Sequence, residues 1–259
     1  MTRREQPLTG WVISLDLWGT LLTYGDRDGE ATWRITEFTR VLHAFGHDVA
    51  PAWVREIVTE IRDLERQQQR MAGLQPGPDA QVTAILDVLG IVADAALLDV
   101  LVTVHTHAVL RACPEPIPGA HAAVAGIKEA GAWLVLTSNT LATPPALHRQ
   151  LMADTGLLEP FDDLLFSGDL GVAKPDRAVF QAVADRSGTS PNRIVHVGND
   201  WRTDVEGAID AGCHAVFYNS RGKSPRLQAP DIAHLDQLPD LLIALCTAVA
   251  PHTDRKDLV

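Results

Sequence analysis

Four short stretches bring together side chains able to do chemistry. "WVISLDLWGTLL" (11–22) ends an apolar run in Asp16, followed by Trp18, Gly19 and Thr20. A carboxylate fixed at the end of a buried strand can attack an electrophile and carry a covalent intermediate. The Gly19-Thr20 turn would then carry the chain away with its amides near the reacting group. "WLVLTSN" (133–139) closes on Ser138 and Asn139, a hydroxyl and an amide suited to binding an oxyanion. "GVAKPD" (171–176) sets Lys174 ahead of a proline, where an ammonium would neutralise both the nucleophile and its target. "RIVHVGNDWRTDVEGAIDAG" (193–212) offers Gly198, Asn199 and Asp200 after a strand and Asp204 on the next helix. A lone Asp before a Gly-Thr turn is more often a cap or turn residue. Four such stretches in order make the catalytic reading the stronger one.

The elements that must position these groups follow from hydrophobic patterning. Short apolar runs at Trp133 to Leu136, Arg193 to Val197 and His214 to Tyr218 match the opening one. Each lies beside a stretch of helical spacing, Gly119 to Ala130, Asp176 to Arg186 and Arg202 to Ala211. Strands alternating with helices of this length predict a three-layer α/β, Rossmann-like core with a parallel sheet. In such a sheet, ligands bind beyond the carboxyl ends of the strands, near the switch in strand order. Residues 26–112 read differently. "ATWRITEFTRVLHAFG", "PAWVREIVTEIRDLERQQQRMAG" and "ADAALLDVLVTVHTHAVLRA" are helical in length and pattern, with no clear strand between them. The expected division is a core of residues 8–25 and 113–250, an inserted helical cap domain at 26–112, and tails at 1–7 and 251–259. "CPEPIPG" (113–119) suits a stiff connector back to the sheet.

Composition narrows the function classes. With 46% hydrophobic and 21% charged residues, the 259-residue chain can bury a substantial core and is not a disordered one. A formal net charge of -11 argues against a nucleic-acid partner, which would demand clustered Lys and Arg. A small-molecule substrate is expected, and an anionic one would need a local positive site. The three cysteines, Cys113, Cys213 and Cys246, form no CxxC pair, which favours a reducing, cytoplasmic location. No segment approaches a membrane span in length. Periodicity leaves substrate identity and oligomeric state open.

The four stretches in this order resemble the haloacid dehalogenase superfamily, most of whose members are magnesium-dependent phosphatases. The resemblance covers about Trp11 to Gly25 and Ile117 to Leu242, with the helical insertion where that superfamily carries its cap. It implies that Asp16 is the nucleophile, that Ser138 and Asn139 form the second motif and Lys174 the third, and that Asn199, Asp200 and Asp204 form the fourth. It further implies Mg2+ held by Asp16, the main-chain carbonyl of Trp18 and fourth-motif side chains. Oxygen ligands with retained waters suit that ion.

Two positions depart from the phosphatase pattern. The usual aspartate two residues after the nucleophile, which protonates the leaving alcohol and then activates water, is Trp18, and indole cannot trade a proton near neutral pH. The usual aspartate after the fourth-motif glycine is Asn199. Both departures point toward the dehalogenase branch, which has an aromatic residue at the Trp18 position and displaces halide without metal. The paired acids Asp200 and Asp204 make more sense beside a cation. The expected function is therefore a Mg2+-dependent phosphatase working through an aspartyl-phosphate at Asp16. The alternatives are halide displacement and a weakly active ligand-binding relative.

Gly19, Thr20, Trp18 and Arg34 are candidate substrate contacts. For Arg34, as for Trp33 and Arg40 at the start of the insertion, a solvated helix face is the competing reading. His105 and His107, two apart on a helix, do not share a face and read as structural or exposed. His196 reads as a packed core residue, Trp201 as packing against the core, and "LERQQQRMAG" as an exposed helix end.

Overall fold

The computed structural model describes residues 6–222 and 229–249. Residues 1–5 and 251–259 of the expected tails lie outside them. The chain opens with β1 (Val12–Leu15) and passes into four helices, α1 (Arg27–Ala44), α2 (Pro51–Ala72), α3 (Pro78–Val88) and α4 (Ala95–His107). It returns through α5 (Ala120–Glu129), β2 (Trp133–Ser138), α6 (Pro145–Asp154), β3 (Asp163–Phe166), a single turn α7 (Ser167–Leu170) and α8 (Arg177–Ser187). Then come β4 (Ile194–Gly198), a π-helical segment (Trp201–Glu206) running into α9 (Gly207–Asp210), β5 (His214–Tyr218), β6 (Asp231–Ile232) and α10 (Leu238–Val249).

The strands form one parallel sheet in the order β3-β2-β1-β4-β5-β6. β1 is central, pairing with β2 on one side and β4 on the other, with Leu15 opposite both Leu136 and Val197. Because the chain builds outward from β1 in one direction and then returns to its other side, the order reverses at β1. The crevice there is where a doubly wound sheet binds ligands. Asp16, Ser138 and Gly198 stand at or just past the ends of the three innermost strands, and the Asp16 amide donates to the Val197 carbonyl at 2.9 Å.

Burial on both faces explains why these strands read as apolar runs rather than alternating ones. One face packs Ile13, Leu15, Leu134, Leu136 and Val197 with α5 and α10. The other packs Val12, Val135 and Ile194 with Phe180 and Val183 of α8. Two strands were not legible as such: β3 is four residues long, and β6 at the edge has two. The helix expected over Arg202 to Ala211 begins instead as a π-helical turn one residue earlier.

The insertion builds its own apolar cluster from Phe38, Leu42, Val54, Val58, Ile85, Leu86, Leu97 and Leu101. The Asp26 side chain caps α1 by accepting from the Gly29 amide, and Asp94 caps α4 by accepting from Leu97. Proline opens α2 and Gly73 ends it at φ 67°, a left-handed position that glycine takes at no steric cost. The additional helix α3 also starts at a proline, and Val82, Ile85 and Leu86 give it an apolar face at helical spacing.

One buried acid in α2 predicts a pH dependence of stability. Burial pushes the Glu65 carboxyl up from 4.5 to about 7, only partly opposed by Arg62 and Arg66. A carboxyl raised in the folded state stabilises fully below its unfolded pKa, and that contribution is lost as pH rises through the folded one. Stability carried by Glu65 should therefore fall between about pH 4.5 and 7. Glu65→Gln should raise the melting temperature more at pH 8 than at pH 5. An equal change at both values would contradict a neutral Glu65 in the fold.

Candidate active site

A cavity of about 470 Å³ opens between the strand ends and helices α1 and α2. Asp16, Asn139, Lys174, Asn199, Asp200 and Asp204 all line it. At its floor Lys174, 1% exposed, joins the two buried acids: its Nζ lies 2.9 Å from Asp16 Oδ1 and 2.8 Å from Asp204 Oδ1.

The three charges do not share equally. For Asp204, burial is outweighed by Lys174 and the His196 hydrogen bond, so its carboxyl stays well below the usual carboxylate range. Asp16 is pushed up to about 6, mainly by burial, with Lys174 opposing and Asp204 reinforcing the rise. Burial alone would lower Lys174, but the two carboxylates outweigh it and hold the ammonium charged. Asp16 is thus the less stabilised anion of the pair, the property a nucleophile needs.

Lys174 is held at both ends. Its backbone N–H donates to Asn139 Oδ1 at 2.8 Å, and Asn139 Nδ2 donates to its carbonyl at 2.9 Å. Asn139 therefore clamps the lysine with both ends of its amide, and its Nδ2 keeps a second N–H beyond the one given to Lys174. Ser138 is buried, with its hydroxyl 3.4 Å from the Asn139 carbonyl. The Gly19 amide is likewise committed to the turn, donating to the Leu22 carbonyl at 2.7 Å, and Thr20 N donates to Leu17 O at 3.3 Å. Neither amide faces a reacting group. Gly19 has φ 78°, and a Cβ there would run into the Asn199 side chain, so the turn admits no other residue. Thr20 contributes its hydroxyl, which donates to Asp16 Oδ2 at 3.0 Å.

Trp18 is locked in place. Its indole N–H donates to His148 Nε2 at 2.9 Å, and its ring stacks on Tyr24 with centroids 5.9 Å apart. Burial pushes the His148 imidazole down to about 4, so it remains neutral and accepting. The Tyr24 hydroxyl donates to the Trp18 carbonyl at 3.2 Å.

Asp200, expected among the metal ligands, lines the cavity and makes contacts of its own. Its Oδ1 caps the π-helical segment by accepting from the Arg202 and Thr203 amides at 2.9 and 3.0 Å, while Oδ2 pairs with Arg70 at 2.9 Å. Asp204 is also committed, its second oxygen accepting from the Asp200 amide at 2.9 Å. The oxygens gathered by the Thr20 and Tyr24 hydroxyls, Asp16 Oδ2, the Trp18 carbonyl and Asn199 Oδ1, each keep a lone pair for a cation. Thr20 Oγ1 reaches both Asp16 Oδ2 and, at 3.5 Å, Asn199 Oδ1. This is an all-oxygen set with one carboxylate, which fits Mg2+ as it binds alongside a substrate phosphate.

Several neighbours were missed from sequence. His196 is buried as expected, but it also belongs to the site, with Nδ1 2.8 Å from Ser14 Oγ and Nε2 3.4 Å from Asp204 Oδ1. A polar residue at alternate positions of adjacent buried strands, Ser14 and His196, was the available signal. "LERQQQRMAG" is not simply an exposed helix end: Glu65 and Gln69 are buried, and Arg66, Gln69 and Arg70 line the cavity. Arg55, Arg62, Arg66 and Arg70 recur on one helical face, a periodicity visible in the sequence. Arg34 is 4% exposed and lines the cavity, so the solvated-face reading fails for it. It holds for Arg40, which pairs with Glu37 at 2.6 Å on the surface. Trp33 packs against the insertion's own cluster. His105 is buried with its ring 2.9 Å from Gln81, His107 is exposed, and Trp201 packs edge-on against Phe217.

Comparison with known proteins decides the family, for the model of haloacid dehalogenase-like hydrolases matches residues 12–212. The chain belongs to the haloacid dehalogenase-like hydrolases. As a member, it is an enzyme of the hydrolase class. It is 34% identical over 108 residues to a phosphoserine phosphatase of Thermus thermophilus, a match covering 42% of each chain. The chain thus spans about half or less of the length of the curated relatives it matches. Among solved structures, a haloacid dehalogenase-type phosphatase of Thermococcus onnurineus superposes with a TM-score of 0.62 at 21% identity, over 90% of this chain and 97% of that one. A 2-haloacid dehalogenase of Pseudomonas syringae superposes with a TM-score of 0.64 at 24% identity, over 91% and 99%. At those identities both speak to the fold alone. Among the described residues, no helix is long and apolar enough to cross a membrane.

Proposed function

We propose that this hydrolase cleaves small phosphorylated metabolites, with Asp16 as nucleophile and Mg2+ as cofactor. The observation that carries the reading is the Lys174 ammonium between Asp16 and Asp204, at the floor of a cavity whose walls are rich in arginine. Halide displacement needs one ionised carboxylate. The further oxygens of Trp18 and Asn199 beside Asp16 suit a site built around phosphate and a cation. The likeness to a phosphoserine phosphatase supports the same choice.

The reaction would run as follows. An Asp16 oxygen attacks phosphorus as the bond from phosphorus to the leaving oxygen breaks, giving an aspartyl-phosphate and an alkoxide or aryloxide. Water then attacks the phosphorus, releasing inorganic phosphate and restoring the carboxylate. Lys174 orients Asp16 and offsets its repulsion from the incoming phosphate, and Asn139 keeps Lys174 in register. Asp16, the Trp18 carbonyl and Asn199 would hold Mg2+, which when bound neutralises phosphate charge and orients it for in-line attack. The helical insertion would serve as a cap that excludes water. Three free cysteines, one exposed, support a cytoplasmic location.

Trp18 sets the limit of this activity. It cannot protonate a departing alcohol, and its indole N–H is already committed to His148. A positioned general acid contributes roughly 100- to 10,000-fold. Aryl and acyl phosphates should therefore be cleaved at least about 100-fold faster than alkyl phosphates of similar size. The test is inorganic phosphate release from an aryl phosphate, with and without Mg2+, across leaving groups of graded basicity. Mg2+-dependent release with a steep leaving-group dependence supports the reading. No release, together with chloride release from 2-haloacids, would move the enzyme to the dehalogenase branch.

A further inference from the structure

The cavity wall has a charge that the composition does not anticipate. In a chain of formal net charge -11, six arginines line this cavity: Arg27, Arg34, Arg55, Arg62, Arg66 and Arg70. Most have a local partner. Arg70 pairs with Asp200, Arg66 with Asp63 on the surface, and Arg27 lies over the Tyr24 ring at 3.7 Å. Arg55 is exposed.

Arg34 and Arg62 differ. They share one carboxylate, Glu30: Arg34 donates to Glu30 Oε1, while Arg62 stands 3.8 Å from the same oxygen. Arg34 is 4% exposed, and its Nε is buried with no hydrogen-bond partner. The Arg62 side chain is 15% exposed. Glu65 is the other acid close to Arg62, and burial disfavours its charged form. Two largely desolvated guanidiniums thus share the Glu30 carboxylate, and the Arg34 Nε–H is left over, which leaves unused donor capacity on the wall. Burial, together with Arg34 and Arg66, also lowers the Arg62 pKa to about 9, against the opposing pull of Glu30 and Glu65. Guanidinium forks match carboxylate and phosphate oxygens in pairs, which ammonium groups do not.

We propose that Arg34 and Arg62 form a second anion subsite, so that the substrate carries a carboxylate or a further phosphate in addition to the group that reacts at Asp16. The identity of the reacting phosphate rests on the reading above; the second anion does not.

The experiment is calorimetric titration, with Mg2+ present, of three non-hydrolysable ligands: propylphosphonate, 3-phosphonopropionate and propane-1,3-bisphosphonate. Wild-type protein should bind one or both doubly anionic ligands about 10- to 100-fold more tightly than propylphosphonate, the gain expected of hydrogen bonds to charged groups. Whichever is tighter tells whether the subsite takes a carboxylate or a phosphate. Arg62→Gln should reduce the preference to within about threefold and leave propylphosphonate affinity unchanged, with Arg62→Lys intermediate. Equal binding of all three ligands by wild type, no binding of any, or an equal loss for all three in Arg62→Gln would overturn the proposal. The wild-type comparison needs no variant and stands even if Arg62→Gln folds poorly. Because these ligands are not turned over, a ligand preference without phosphate release would leave the subsite standing and remove the phosphatase reading.

Discussion

Asp16→Asn should abolish turnover while leaving the protein folded. The amide cannot attack phosphorus or carbon, and loss of a nucleophile costs about four orders of magnitude or more in kcat. The fold should tolerate the change, because the amide oxygen can still accept from Lys174 and the ammonium keeps its second partner, Asp204, at 2.8 Å. Stability carries a further signature. Burial raises the Asp16 carboxyl from 3.8 to about 6, so its contribution is complete below its unfolded pKa and lost as pH rises through the folded one. The wild type should lose stability over about pH 4 to 6 by this route, and the variant should not. The variant should therefore melt no lower than wild type at pH 7.5. Phosphate release within tenfold of wild type would remove Asp16 as nucleophile whatever the melting data show.

Lys174→Met should damage both stability and activity. Removing the ammonium leaves Asp16 and Asp204 buried together without a counter-charge. Breaking a buried ion pair by deleting one partner costs about 3–5 kcal/mol. For a chain of this size that is a fall of roughly 10 °C in melting temperature. The loss should depend on pH, with a definite sign. In the wild type Lys174 holds Asp204 low, so that acid stabilises above its ordinary pKa of 3.8 and loses this contribution as pH falls through its folded one. Without the lysine both carboxyls are raised by burial, and their contribution is lost as pH rises. The deficit of Lys174→Met relative to wild type should thus be smaller at pH 5 than at pH 8. A pH-independent deficit would mean that Lys174 serves packing alone. Turnover should also fall by about 100-fold or more, the usual cost of removing a fixed charge from a reacting centre.

The chemistry-bearing residues were legible because they sit at strand ends. A strand buried on both faces is a largely apolar run, and the polar residues at its end stand out: Asp16, Ser138 and Asn199 were found in this way. The parallel sheet followed from strands alternating with helices. Short or shallow elements were not legible. β3 opens on Asp163 and is fully buried only over its last two residues, unlike β1 of the same length, β6 has two residues, and α3 follows a Pro-Gly-Pro stretch that reads as a loop.

What local sequence decided was the set of groups and the strand ends they occupy, because periodicity and turn chemistry act over a few residues. The direction each group faces depends on partners far along the chain. Asn139 binds the backbone of Lys174, 35 residues away, and so clamps the lysine. Trp18 is fixed by His148, 130 residues away. Asp200 starts a π-helical turn and pairs with Arg70, also 130 residues distant. Which distant partner each donor and acceptor meets is settled only when the sheet and the helical insertion have packed.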